Sequence, residues 1–376
     1  MEHLRMVGKW WLPATPDAQV GGVLEIDADG QSRLELTDSL LNDSLHAVLH
    51  GAADGRPVTL LNCQPMNGGK ITWGQLHTVV EVGRPTVILV GIHLAAGDDV
   101  GFNGIEVELS NLTAWTRRSG IIRTTAYTTP DEGTDHYKFA RVEINPTKLE
   151  QVSARLEDAS ETVTLAWRLN WGSKEGAWDR DFEVEERATL TVRSDERRAW
   201  SGFTPTVSAV RDLITLATQA GCRVGKKSLL IREDGETRDY PVGLYFDSGS
   251  ARERSVSVHD IIFTLEDIEW ATLKPEWVAL RNRVGLALDV LFSLDYIEDG
   301  FYQNRIFNAA SATEGFHAAL RPESVGISDA LHQDVKVAVK ALFPDNLEAR
   351  EWLRGRTGDP LCQDQVRHLQ QTKCTP

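Results

Sequence analysis

Residues 23–36 read V-L-E-I-D-A-D-G-Q-S-R-L-E-L. Val23–Asp27 and Ser32–Leu36 each alternate apolar with polar residues, the period of a strand that buries one face. Ala28-Asp29-Gly30 between them carries turn chemistry, so the stretch predicts a hairpin. The same signal recurs outward, from Trp10 to about Ile262. Pro57–Leu61 follows another glycine-bearing turn, and Thr86–Val90 (T-V-I-L-V) is the short apolar run of a buried strand. Ile105–Leu109, Val163–Leu169, Ala188–Val192, Ser228–Ile231 and Ser255–Val258 read as further strands. Frequent Gly, Asn and Asp between the runs suit an antiparallel sandwich or barrel. One helix interrupts them: Pro205 stands at a favoured first-turn position, Val207, Val210, Leu213, Ile214 and Ala217 follow at helical spacing, and Gly221 ends the run.

Later the period changes. Pro275 opens a segment with Trp277, Leu280, Val284, Ala287, Leu288 and Leu291 at steps of three and four. A second helix runs from about Tyr302 to Leu320. A third starts at Ser328, a fair N-cap, and carries Leu331, Val335, Ala338 and Leu342 before Pro344. Asn346 caps a fourth, Leu347–Arg354, and Val366 and Leu369 mark a last helical patch. The fold class is therefore α+β: a strand-rich sandwich- or barrel-like domain over 1–270, then an all-α helical bundle over 271–376. The charge follows that division. The 376 residues carry 55 acids against 40 bases, a net −15, yet from Asn304 onward nine bases balance nine acids, so the excess lies in the earlier part.

The acidic balance excludes a generally basic nucleic-acid coat, though not a local basic pocket. No apolar run is long enough to span a bilayer, and the start lacks a secretory leader pattern, so no membrane partner is expected. Cys63, Cys222, Cys362 and Cys374 are far apart without C-x-x-C, which fits a reducing cytoplasm rather than a disulfide or zinc framework. Of the eleven Trp, most belong in the core and one or two suit a binding surface.

The chemical motifs are sparse. There is no G-x-x-x-x-G-K-[ST], no G-x-S-x-G and no H-E-x-x-H, and Gly21-Gly22 and Gly101-x-x-Gly104 open no helix after a strand. Asn67-Gly68-Gly69-Lys70 lacks the Ser/Thr and helix of a phosphate loop and reads as a plain loop. Glu132, Asp135 and His136 have metal-ligand chemistry, but a solvated loop is the better explanation of them, and no metal or other cofactor is expected. Glu314 and His317 are three apart on one helix and share a face, where a carboxylate can orient an imidazole toward a phosphate or sugar hydroxyl. The plainer reading is a polar pair at a helix–helix boundary.

Several stretches resemble a known family. Gly8-Lys9-Trp10-Trp11-Leu12-Pro13 followed by Gly22-Val23-Leu24 is similar to the start of the N-terminal domain of ApeA-type antiphage proteins. Phe263-Thr264-Leu265-Glu266-Asp267-Ile268, then Trp277, resembles that family's junction between strand-rich and helical parts. Phe292-Ser293-Leu294, Asn304-Arg305-Ile306-Phe307-Asn308 and Glu314-Gly315-Phe316-His317 are similar to the opening of its HEPN helical domain, with Ala318 where the family commonly has arginine. The likeness covers most of the chain and is diffuse between 120 and 200.

The resemblance implies an abortive-infection effector: a strand-rich part that senses a phage-derived trigger and a HEPN-like part that cleaves RNA; the acidic charge of the strand-rich part favours a protein over a nucleic acid as that trigger. HEPN domains of this kind are metal-independent endoribonucleases acting as homodimers or higher homo-oligomers, with R-x(4–6)-H supplied by each subunit. The histidine moves a proton at the 2′-hydroxyl or leaving oxygen, and the arginine stabilises phosphate charge. On the matched positions, Glu314 and His317 are the supporting catalytic candidates and Arg305 the RNA- or phosphate-binding one. Arg305 lies nine residues before Glu314, on the opposite side of the helix, which favours a structural role for it.

The helical part lacks R-x(4–6)-H: none of His317, His332 and His368 has an arginine five to seven positions earlier. Arg254 and Arg252 do precede His259 at that spacing, in a stretch that reads as a strand. Arg281-Asn282-Arg283 echoes the start of the motif without a following His. The expectation is an incomplete helical domain with an exposed apolar face. A non-catalytic binding module for a protein or glycan, with the helices dimerising, is the alternative.

Overall fold

The computed structural model describes residues 3–27, 30–66, 70–73, 76–79, 81–127, 137–157, 160–172, 183–233, 235–236, 238–246, 256–296, 301–321 and 329–342. The hairpin at 23–36 forms as β2 (Val20–Ile26) and β3 (Ser32–Leu36), with Gly30 at φ 86° in its turn. β1 (Leu4–Trp11) pairs with β2 on one side and with β4 (His46–Ala53) on the other. β4 turns at Asp54-Gly55, both left-handed as a tight two-residue hairpin requires, into β5 (Arg56–Met66). After the short β6–β7 hairpin (Lys70–Trp73, Leu76–Val79), β8 (Glu81–Arg84) pairs with both β5 and β3. The order β1-β2-β3-β8-β5-β4 returns to β1, so six antiparallel strands close a barrel.

Alternation fills its interior. Met6 and Trp10, Leu24 and Ile26, Leu34 and Leu36, and Leu49 and Leu60 all point inward and are buried. Leu40 and Leu41 enter the same core from the β3–β4 connection. Their backbone amides both donate to Glu81 Oε2 at 2.7 Å, so a carboxylate on the closing strand satisfies the donors that this connection would otherwise strand.

β5 serves two neighbours along one edge. Its Gln64–Met66 end pairs with β8, while Val58–Leu61 pairs with β9 (Val87–Val90), the chain stepping from one to the other at Pro85-Thr86. β9 then leads out of the barrel into β17 (Tyr240–Phe246), β16 (Val224–Ile231), β10 (Phe102–Leu109), β15 (Glu183–Arg198), β14 (Glu161–Gly172) and β13 (Val152–Leu156), one antiparallel sheet throughout. β11 (Ile121–Tyr127) and β12 (Tyr137–Ile144) form a separate hairpin. The sheet's inner face carries Val163, Leu165, Leu190, Val192, Ile105, Val107, Leu229 and Val242, all buried.

Two helices are positioned by that face. α1 (Leu112–Thr116) is a single turn that buries Trp115. α2 (Thr204–Thr218) buries Val207, Val210, Leu213, Ile214 and Ala217, the stripe read from the sequence. α3 (Trp270–Tyr296) packs on α2 and β13, then α4 (Tyr302–Leu320) and α5 (Asp329–Leu342) follow. The α+β class is as expected. The chain divides into two compact units, Met1–Phe316 and His317–Pro376.

Two readings of local structure are corrected. Ser255–Val258 makes no strand within the described residues: 256–257 are irregular and Val258–Asp260 is a 3-10 turn, because Ser257 caps it by accepting from the His259 amide. Pro275 does not open α3, which starts five residues earlier at Trp270; the ring sits inside the first turns. Leu347–Arg354 and the Val366–Leu369 patch lie outside the described residues.

Gly51 decides how Trp10 packs. The two residues face each other in register between β1 and β4, and a Cβ at Gly51 would collide with the six-membered ring of the fully buried indole. Gly51→Ala is expected to cost about 1–3 kcal/mol by overpacking, read as a lowered urea midpoint with an unchanged slope.

Candidate functional site

The junction motif builds a groove. Thr264 starts a 3-10 turn at Leu265–Asp267, and the Asp267 carboxylate accepts from both the Thr264 amide (2.8 Å) and hydroxyl (2.7 Å). Those bonds, the hydroxyl's first, hold the Asp267 carboxyl below its usual range. Leu265 is the buried anchor of the turn. Three residues on, Trp270 stands edge-on to Trp115 at 6.1 Å and donates from Nε1 to the Val163 carbonyl at 3.2 Å. Between this segment and Val152, Ser153 and Arg118 lies a groove of about 560 Å³. Arg118 is held in place over the Trp167 ring at 5.2 Å while donating to the Glu150 carbonyl. Glu266 and Glu269 put carboxylates on the other wall.

Beside the groove, α3 covers buried charge. Glu161, at the start of β14, is 1% exposed; its two oxygens accept from Arg198 Nη1 and Thr206 Oγ1, each at 2.6 Å. Lys274, one turn after Trp270, is 0% exposed, and its Nζ has no hydrogen-bond partner among the described residues. Burial pushes the Lys274 ammonium down to about 7, against the opposing pull of Glu161.

The next turns of α3 are locked to α2. Trp277 Nε1 donates to the Ala209 carbonyl at 2.6 Å. Asp212, 1% exposed, takes Arg281 on one oxygen at 2.7 Å and Arg211 on the other at 2.9 Å. The Tyr296 hydroxyl reaches Thr215 Oγ1 and the backbone of Cys222. Arg281, which begins the R-N echo noted above, is thus committed to a structural ion pair.

The residues singled out from sequence are dispersed. Arg305, Glu314 and His317 all lie on α4 with exposed side chains. The charge of Arg305 bears on Asp295 near the end of α3. His259 is exposed on its 3-10 turn, while Arg252 and Arg254, like Glu132, Asp135, His136 and Asn67-Gly68-Gly69, lie outside the described residues. Cys63 and Cys222 are buried thiols, both pushed up to about 12 by desolvation, and so poor nucleophiles. No group of three or more His, Cys, Asp or Glu is placed to hold a metal among the described residues. No helix among them is long and apolar enough to cross a membrane.

The buried charges at Glu161, Asp212 and Lys274 were not singled out from sequence. One signal was available: Trp270, Lys274, Trp277 and Arg281 repeat at i, i+4, i+7 and i+11, which sets a lysine on an apolar face.

Residues 5–277 match the family model described as ApeA N-terminal domain 1. The chain belongs to that family. The matched stretch runs from the first barrel strand to Trp277, so this ApeA domain takes in the barrel, the second sheet, α1, α2 and the part of α3 that carries Lys274. Membership places the chain among antiphage defence proteins in general terms. No curated protein and no solved structure matches it.

Two outcomes follow from the buried charges of the ApeA domain. The folded pKa of Lys274, about 7, lies below its ordinary 10.5, so the unfolded chain binds a proton that the native state gives up. Wild-type stability therefore rises with pH between those values, and the penalty is full below the lower one. Lys274→Met should stabilise by on the order of 3–5 kcal/mol at pH 7 and below, the gain vanishing above the ordinary lysine pKa, in denaturant titrations across pH. Asp212→Ala should cost about 3–5 kcal/mol, because it leaves two guanidinium groups against a buried face, and should release α3 amides to hydrogen exchange.

Proposed function

We propose that the chain is a cytoplasmic abortive-infection protein in which residues 1–270 sense a phage-derived protein and residues 271–376 act as a HEPN-like effector on RNA. The observation that carries the reading is the family match, which extends past the strands into α3 and ends inside the helix that the buried charges fasten. The trigger is assigned to the junction groove. Its carboxylates and its arginine pinned on Trp167 suit the mixed charges of a polypeptide, and a net charge of −15 opposes a polyanion.

In the effector reading, His317 transfers the proton at the 2′-hydroxyl, Glu314 orients it and Arg305 meets phosphate, without a metal. Phe301, Tyr302, Ile306 and Phe307 are each at least 70% exposed at the start of α4, which supports self-association through the helical part as a dimer or larger homo-oligomer. The second reading, a binding module without chemistry, is favoured by the lack of any arginine five to seven positions before His317, His332 or His368.

The test has two arms. Cultures expressing the chain should outgrow phage added at a low phage-to-cell ratio but not at a high one, and Arg118→Glu, folded by circular dichroism, should lower that protection by at least about tenfold. Purified protein with extract of infected cells should cut tRNA or mRNA in EDTA, with His317→Ala slower by about 100-fold or more. Protection that persists while RNA stays intact under every trigger condition selects the binding module.

A further inference from the structure

A second cleft, of about 370 Å³, opens where the barrel passes into the outer sheet. It sits at the Pro85-Thr86 step, where β5 exchanges β8 for β9 and the two layers part. One wall is aromatic: Trp200, on the 3-10 turn after β15, and Phe246, the last residue of β17, have ring centres 5.7 Å apart and are both only half-buried. The buried Lys227 ammonium lies 4.3 Å from the Phe246 ring centre. The facing wall is polar. Gln64 and Arg84 are opposite each other in the β5–β8 register, so their side chains leave the sheet on the same side, and Gln31 stands beside them.

Among the described lining residues Arg84 carries the one charge and none is a carboxylate, in a chain where acids exceed bases by 15. Arg84 makes no ion pair and Gln64 no side-chain hydrogen bond among the described residues. Three kinds of group thus converge with capacity to spare among the described residues: a half-buried indole in an aromatic wall, a guanidinium without an ion pair, and a carboxamide with both donor and acceptor.

We propose that this cleft binds a single mononucleotide. The base stacks on Trp200, the Gln64 amide pairs with the edge of the base, and the phosphate is held by the fork of Arg84. The volume admits one nucleotide, and the chain's net charge of −15 disfavours a strand of many phosphates, so the ligand is the free nucleotide rather than RNA. The site is separate from the junction groove and from α4, and it stands whether or not the sensing reading above holds.

Isothermal titration of the full chain with AMP, GMP, CMP and UMP tests this, with the matching nucleosides, inorganic phosphate and a ten-nucleotide single-stranded RNA as comparison arms. At least one nucleotide should bind, its nucleoside at least about tenfold more weakly, and Arg84→Ala should weaken it by at least about tenfold while Arg84→Lys recovers part. Arg84 is exposed, so its variants keep the fold; Trp200→Leu, checked by circular dichroism, should lose the stacking share by a similar factor. No heat with any nucleotide at millimolar concentration, affinity unchanged in Arg84→Ala, or tighter binding of the RNA than of every nucleotide would each overturn the assignment.

Discussion

The strand from Arg56 to Met66 sets the constraint on which the architecture depends. A strand edge has one row of donors and acceptors, and here that row is shared between two partners, one of which closes the barrel while the other leads away from it. Had one partner taken the whole edge, the product would be either an isolated barrel or an open sheet. The division yields both from one continuous hydrogen-bonded ladder. A cleft lined by Gln64 and residues 84–87 lies where the partners change.

The second organising fact is that the helix after the sheets is held by charge as well as by apolar packing. Trp270 and Trp277 do what large side chains do at an interface, filling space and using each indole N–H on a carbonyl. Between and beyond them lie Lys274, whose nitrogen has no hydrogen-bond partner among the described residues, and Arg281, bonded to a carboxylate sealed from water. The two have opposite consequences. A satisfied buried pair resists separation because separation strands both members, whereas an unsatisfied ammonium gains hydration as soon as the helix lifts. One helix therefore carries a fastening and a source of instability within two turns.

Much of the fold was legible in the sequence because alternation and helical period record which side of each element faces the core. The 23–36 hairpin, the strands around Ile105, Val163 and Ala188, the stripe of α2 and the span of α4 all follow from those periods. The closing of the barrel was not legible. It depends on β8 pairing with β3 and β5, two contacts distant in sequence, and Glu81–Arg84 is too short to show a period. The 3-10 turn at Val258–Asp260 misled for a different reason: alternating serine and valine satisfies a strand pattern, yet a serine hydroxyl can cap a turn just as well. At the site, the junction motif was found by its resemblance, while the buried carboxylates Glu161 and Asp212 left no local trace, since an acid looks the same in a sequence whether water or arginine surrounds it.

The long ribbon of β14 and β15 has a mechanical consequence. Its pairing runs without a bulge from Glu161 opposite Ser194 to Gly172 opposite Glu183, twelve rungs in all, a length of roughly 40 Å at ordinary strand rise. A slip of one rung between the two strands would break all twelve pairings and turn every side chain of one strand to the other face, so the ribbon keeps its register from Gly172 inward to Glu161, the carboxylate that Arg198 and Thr206 hold.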